Sequence, residues 1–465
     1  MSALVTALVD ALGSKHVITQ ADRMAAYMTE WRGRWQGQAR CVVRPSSTAD
    51  VAAVVRLCRD AKVAIVPQGG NTGLCGGAVS RSGDVLLALD RMHAIRSINA
   101  IDYSMTLEAG CTLANAQDAA AEAGRLLALD LSSSGSCQIG GNLSTNAGGV
   151  NVLRYGCARE QVLGLEVVLP SGEIIDGLKT VRKNTAGYDL KQLFIGAEGT
   201  LGVITAASLR LYAQPTSRQV FWLALDQLEH VLDLYAEARA HFDNTLAAFE
   251  VVSGRALSFV LRHIEDSQAP GASDSAWHVL LEVNGSDGEV SEPAVQAFVA
   301  GQMAAGRVRD ARVAQGAAQA SALWALRHNL SEAQRYEGAS IKHDVSIPLD
   351  AMVMFYASAE AQLLAIHADL RLVCFGHIGD GNLHFNVSQP ASIDASVFEG
   401  LRPAINETVH RLVIAHDGSI SAEHGIGMLK RDILGDQVGE TALTLMRTIK
   451  AAIDPLNLMN PGKVL

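Results

Sequence analysis

No Cys-x-x-Cys pair occurs in this chain; the seven cysteines, at 41, 58, 75, 111, 137, 157 and 374, stand apart. That spacing argues against a cysteine zinc site or a disulfide framework and fits a reducing, cytoplasmic compartment. No uninterrupted apolar run reaches the roughly 20 residues of a membrane span. The opening stretch "MSALVTALVDALG" lacks a basic n-region and carries Asp10, while Leu4, Val5, Leu8, Val9 and Leu12 share one helical face. It therefore reads as a docking helix and not a signal peptide. Charge is sparse, 18% of residues against 49% hydrophobic, and its balance is −10. That acidity argues against nucleic acid or an anionic membrane surface as a partner. A small anionic substrate is admissible where local positive charge overcomes the overall field.

What is present is enough chain, 465 residues, for about two or three domains. There is no internal repeat and no low-complexity tract. From Cys41 to about Leu211, β-rich runs such as "CVVRP" and "AIVPQGG" alternate with helices and glycine clusters. The helix opened by "SSTADV" takes Thr48 or Asp50 as its cap and ends near Ala61. Beyond Pro215, the strand patterns "QVFWLAL", "HVLLEVNG" and "ASIKHDVSIPL" are separated by longer helices such as "QLEHVLDLYAEARAHF". That alternation suits a second α/β domain, and "DSQAPGASDS" is a surface loop by composition.

The loop "PQGGNTGLCGGAV" (67–79) follows a strand and holds five glycines; a second, "SGSCQIGGNLSTNAGG" (134–149), and a third small-residue stretch, "GAEGTLGVIT" (196–205), come after it. Neither of the first two loops carries G-x-G-x-x-G or a Walker A sequence. Glycine lets main-chain N–H groups converge on phosphate oxygens that a Cβ would fend off. One such loop is more often a tight turn; three separated ones suit a long dinucleotide.

"CFGHIGDGNLHFNV" (374–387) sets two histidines around Asp380-Gly381, a strong hairpin signal. A two-residue turn centred there puts His377 opposite His384 and Phe375 opposite Asn386, with Asn386 on the His384 face. Taken alone, these are two half-buried hairpin histidines.

The stretches "PSSTADVAAVVRLCRDAKVAIVPQGGNTGL", "GGNLSTNAGG", "YGCAREQVLGLEVVLPSGEI" and "KNTAGYDLKQLFIGAEGTLGVIT" closely resemble the FAD-binding domain of vanillyl-alcohol-oxidase-type flavoproteins, and "GHIGDGNLHFN", "SAEHGIG" and "NPGKVL" resemble their D-2-hydroxyacid dehydrogenase branch. The resemblance runs from about Trp31 to the last residue. Within the branch, "LWALRHNLSEAQ" and "ASIKHDVSIPL" look most like the enzymes that act on D-2-hydroxyglutarate.

The resemblance implies an α+β fold: a two-subdomain FAD-binding domain, an α/β substrate domain, and a C-terminal helical segment returning to the flavin. The expected boundaries are 1–37 for an N-terminal helical segment, 38–215 for the FAD domain, 216–425 for the substrate and metal domain, and 426–465 for the terminal segment. Pro67, Gly69, Gly70, Asn71, Thr72, Gly73 and Gly77 would cradle the pyrophosphate. Ser136, Gly140, Gly141, Thr145, Asn146, Gly148 and Gly149 would line the flavin and ribityl side, with Tyr155, Gly156, Glu198, Gly199, Ile204 and Asn460 adding contacts. No histidine lies between Pro67 and Val79, so FAD is expected to be non-covalent; Cys75 and Cys137 read as packing residues.

By the same resemblance, His377, His384 and Glu423 hold a divalent metal, zinc being the first expectation, and His424 acts as the catalytic base and touches substrate. The competing assignment makes His424 the third ligand and Glu423 its orienter. Two imidazoles and a carboxylate leave coordination open, as catalytic zinc sites do. Arg327, Ser331, Lys342 and Asn386 match substrate-binding positions. Arg327 and Ser331 form an i,i+4 pair on one helical face; Lys342 lies in a strand whose apolar face is Ile341, Val345 and Ile347. His343 departs from the family, where an aromatic phenol is expected, which bears on the distal pocket's shape.

The leading expectation is FAD- and metal-dependent oxidation of a D-2-hydroxy dicarboxylic acid, first D-2-hydroxyglutarate, with D-lactate, D-malate or another D-2-hydroxy acid next. A metallohydrolase, or a non-catalytic flavin subunit, would be separated from it by flavin colour and metal content. The electron acceptor is unknown from sequence, an electron-transfer flavoprotein or a quinone being the family's usual choices, and a homodimer is compatible with the chain.

Overall fold

The computed structural model describes residues 2–286 and 290–465, and the chain divides into two compact units. The first comprises the chain up to Gly149, Tyr155–Gln214 and Glu423–Leu465; the second comprises Val150–Arg154 and Pro215–Ala422.

In the first unit, Cys41–Val43 and Ile65–Gln68 both pair in parallel with Val85–Ala88, and Val17–Ile18 closes the edge antiparallel. Parallel strands need a crossover, here the helix Thr48–Asp60. Its cap is Ser47, whose hydroxyl accepts from the Asp50 N–H. Thr48 and Asp50 are otherwise engaged: the Thr48 hydroxyl donates to Glu166, and the Asp50 carboxylate accepts from Ser46. A capping residue must itself be extended, and Ser47 is the residue with that backbone. A five-stranded antiparallel sheet follows, with Val203–Arg210 between Ser104–Glu108 and Val162–Val168. One core joins these elements, and Leu4, Val5 and Leu8 of the helix Ala3–Leu12 belong to it.

The chain's last residues return to the first sheet. Ile65 donates to the Leu458 carbonyl and accepts from the Asn460 N–H, both at 2.8 Å. Asn460 is thereby fixed beside the strand that feeds the first glycine loop.

The second unit is built on a seven-stranded sheet. Its order is Asp310–Val313, Ser217–Leu225, Trp277–Gly285, Leu246–Ser253, Arg371–Gly376, Asn382–Ser388, Ser340–Ser346. All pairings are antiparallel among the described residues. The helices Gly254–His263 and Ala317–His328 pack on it through a core containing Trp222, Val252 and Phe375 of the sheet and Val260, Leu323 and Trp324 of the helices. The stretch Leu349–Ile366 has the length and composition of a membrane span, though Asp350 and Glu360 interrupt it. In the fold it buries Met352, Phe355, Ala359 and Leu363.

The histidine hairpin has a different register from the one expected. Phe375 faces His384, and Val373 faces Asn386. Ile378–Asp380 form a 3-10 turn, and Gly381 follows at φ +83° in the left-handed region. Five residues, 377–381, thus connect the strands, and His377 stands at the turn instead of in the ladder. The shift is by an even number of residues, so side-chain faces are preserved. Asn386 still shares the face of His384.

Candidate active site

The first unit carries a cavity where Ile65–Gln68 runs out into the glycine loop. Of the residues expected to hold a flavin, Pro67, Gly69, Gly70, Asn71, Thr72, Gly73, Gly77, Gly140, Gly141, Thr145, Glu198, Gly199 and Ile204 line it, and so does His424. Ser136, Asn146, Gly148, Gly149, Tyr155, Gly156 and Asn460 are not in the lining. Two of these are engaged elsewhere: the Asn146 side chain accepts the Arg159 N–H, and Tyr155 packs edge-on against Tyr212 at 4.6 Å.

The loop's main-chain N–H groups at 69–73 donate to no protein acceptor among the described residues. Asn71 sits at φ +53°, the kind of alternation that turns successive N–H groups to one side and makes an anion nest. Two glycines here do different work. A Cβ on Gly70 would lie 1.9 Å from the Ser136 carbonyl oxygen, so that position is small because two loops touch. A Cβ on Gly141 would meet no protein atom within 4 Å and would point into open space in the cavity's lining.

Two buried acceptors lie in this unit, and Gln138 lines the cavity. Among the described residues the Gln138 Oε1 and Asn460 Oδ1 have no hydrogen-bond partner, and a buried acceptor is costly unless a ligand N–H or O–H meets it. The Asn460 amide donates to the carbonyls of Gly77 at 2.9 Å and Glu198 at 2.7 Å, which ties the terminal segment to both glycine stretches. The Glu198 carboxylate accepts the N–H groups of Ile426 at 2.7 Å and Gly427 at 2.9 Å. Burial pushes its carboxyl pKa up, against the pull of those donors and of Lys430. Its role is to fix the segment that follows His424.

The second unit carries the histidine hairpin and the cationic side chains, whereas Glu423, like His424, belongs to the first. The His377 and His384 rings lie 5.7 Å apart. Each offers Nδ1 to a buried carboxylate: His377 to Glu250 at 2.6 Å, and His384 to Asp344 at 3.6 Å. A carboxylate can only accept, so at His377 the Nδ1 proton faces it and the lone pair falls on Nε2, as in metal-binding histidines, while His384 stands at ion-pair distance from Asp344. The donor set therefore fits a divalent cation. Glu250 is 1% exposed and also accepts the Arg327 Nε–H at 2.8 Å. Burial alone would raise its carboxyl pKa, but His377 and Arg327 outweigh burial and hold it down at about 2.

Arg327 is 7% exposed, and its Cζ lies 5.1 Å from the centre of the Phe375 ring. Only its Nε–H is engaged among the described residues, which leaves the Nη edge for an outside carboxylate. Its helix ends at His328, and Ser331 is exposed on the next short helix, Leu330–Ala333. Asn329, with right-handed helical backbone, joins the two helices. Lys342 pairs across the sheet with Asn386. Asn386 is buried and donates to Gln334 at 3.0 Å, and Gln334 donates to Ser388. His343 lies on the other face of its strand, bonded to the Phe385 carbonyl and to Asn406, both at 2.9 Å. It is a core histidine and shapes no pocket on the Lys342 side.

Sequence reasoning missed Glu250, Asp344, Gln334 and Gln138. Glu250 had a readable signal, a lone carboxylate in the apolar strand "LAAFEVVS". The others had none.

The chain matches the family described as FAD linked oxidases, C-terminal domain, over residues 214–464, and the FAD binding domain family over 39–177. It is 40% identical to a D-2-hydroxyglutarate dehydrogenase of Xanthomonas citri pv. viticola, covering 99% of this chain and 96% of that one. It is 36% identical to a putative mitochondrial D-lactate dehydrogenase of Schizosaccharomyces pombe, covering 94% and 84%. Among solved structures, p-cresol methylhydroxylase with bound substrate superimposes with a TM-score of 0.77 at 17% identity, over 99% of this chain and 96% of that one. That likeness speaks to fold alone.

Proposed function

Because the chain belongs to the FAD-linked oxidase family, we propose that it oxidises D-2-hydroxyglutarate to 2-oxoglutarate, using FAD in the glycine cradle and a divalent cation. The observation that carries the substrate assignment is the near full-length identity with a D-2-hydroxyglutarate dehydrogenase. The open Nη edge of Arg327 supports it, since a second carboxylate is what a half-used buried guanidinium is suited to receive.

Bound FAD, without a histidine tether in its loop, supplies the acceptor for the hydride leaving C2 of the alcohol. His424 takes the hydroxyl proton, imidazole being the side chain best matched to proton transfer near neutral pH. Arg327 docks the distal carboxylate, with Lys342 as the second cation and the Ser331 hydroxyl and Asn386 amide as hydrogen-bonding groups. His377 and His384 would hold the cation, with Glu423 as the third ligand that the "SAEHGIG" motif implies. A divalent ion held there would supply Lewis-acid stabilisation of the deprotonating alcohol. Zinc suits that donor set.

A second reading, oxidation of D-lactate, draws on the relative named for that activity. A screen for anaerobic bleaching of the bound flavin decides between them. D-2-hydroxyglutarate should bleach it at far lower concentration than D-lactate or D-malate, and a chelator should slow the reaction. Equal response to D-lactate would overturn the dicarboxylate assignment; a colourless protein would overturn the flavin chemistry altogether.

A further inference from the structure

Glu250 stands in the middle of the strand Leu246–Ser253, in line with Ala248 and Val252 on the face that the helices cover. An ionised carboxylate in an apolar row is expensive unless its oxygens are satisfied. Here both are, by two groups with different tasks. Oε1 meets the His377 Nδ1 at 2.6 Å and Oε2 meets the Arg327 Nε at 2.8 Å. One partner comes from the hairpin turn, the other from the helix Ala317–His328.

We infer that Glu250 is a positioning residue shared by the cation site and the diacid site: it sets the His377 tautomer and aims the Arg327 guanidinium. This rests on the functional reading above. A neutral amide cannot serve both partners, because one of its two heavy atoms is a donor. With Glu250→Gln, either the Nδ1 proton of His377 faces an N–H₂ group and the ring must flip its tautomer, or Arg327 loses its acceptor. A merely structural ion pair would affect melting alone.

The test uses the full-length flavoprotein, stripped with a chelator and titrated with Zn²⁺ in the absence of substrate. E250Q is expected to bind Zn²⁺ about ten- to a hundredfold more weakly. At saturating Zn²⁺ it should raise KM for D-2-hydroxyglutarate well above its effect on D-lactate. E250D, which keeps the carboxylate, should recover part of the Zn²⁺ affinity. Should E250Q not fold, R327Q and E250A/R327Q are compared: R327Q keeps Zn²⁺ affinity and the double variant, in which His377 has lost its acceptor, binds Zn²⁺ more weakly. An E250Q protein whose Zn²⁺ affinity and whose KM for D-2-hydroxyglutarate relative to D-lactate both stay within about threefold of wild type, or a double variant within about threefold of R327Q in Zn²⁺ affinity, overturns the inference. A wild-type protein that binds no Zn²⁺, or whose flavin D-2-hydroxyglutarate does not bleach, overturns the functional reading and this inference with it.

Discussion

The Oδ1 of Asp344 lies 3.6 Å from the Nδ1 of His384, and the Asn382 amide donates to that same oxygen at 2.9 Å. The carboxylate is thus held from one side while it faces the imidazole from the other. Asp344→Asn should weaken Zn²⁺ binding by about ten- to a hundredfold with the fold intact, whereas His384→Ala should abolish it. Metal content after dialysis against a fixed Zn²⁺ concentration distinguishes the two; unchanged content in His384→Ala would remove His384 from the ligand set.

Arg327→Ala should act on one substrate and spare another. A charge-assisted hydrogen bond contributes about 1.5–3 kcal/mol, which corresponds to roughly ten- to a hundredfold in affinity. KM for D-2-hydroxyglutarate should rise by about that factor, and KM for D-lactate by much less. Steady-state kinetics on both acids checks it, and equal losses would mean that Arg327 reads no distal acid.

The two glycine positions predict opposite phenotypes. Gly70→Ala brings a methyl into the Ser136 carbonyl and should lower the melting temperature with or without FAD. Gly141 lies inside the helix Ile139–Ser144, with open space where its Cβ would go. Gly141→Ala should therefore stabilise the apoprotein, by about 0.5–1 kcal/mol, while weakening FAD binding. Calorimetry of the apoprotein and flavin titration by fluorescence quenching measure both; intact FAD affinity would place the cofactor elsewhere.

His278 is fully buried, its Nδ1 accepts the Trp222 indole N–H at 3.2 Å, and burial pushes its pKa down to about 4 from 6.5. Below pH 6.5 the unfolded chain takes up a proton that the folded one refuses, so stability falls as pH drops from 6.5 towards 4. The contribution lost by pH 4 is about 3 kcal/mol. His278→Asn keeps an acceptor without titrating, and its denaturation midpoints should vary less over this window than those of the wild type. Parallel profiles would mean that His278 does not carry the acid sensitivity.

Legibility in the sequence followed how local the physics was. The glycine loops were readable because the demand for small residues comes from backbone close to them in the chain; the structure places thirteen of the expected flavin residues in one lining. The docking helix was readable from its apolar spacing, and Leu4, Val5 and Leu8 are buried as that spacing requires. The helix cap was off by a residue or more, because Ser47, Thr48 and Asp50 are all competent and only the backbone around them selects one. The hairpin register was off by two residues, because a 3-10 turn at 378–380 competes with the two-residue turn, and local chemistry does not separate them.

The amino-acid sequence by itself determined the glycine cradle, the pair of histidines around a turn, the buried strands and the family. Each is a property of residues adjacent in the chain or repeating with a fixed period. Only the tertiary structure decided that Glu250 answers both His377 and Arg327, 127 and 77 residues away. It also decided that His343 turns from Lys342 into the core. Whether a carboxylate or imidazole is orienter, ligand or packing depends on which distant strand the sheet lays beside it, and that follows from the burial of the whole core.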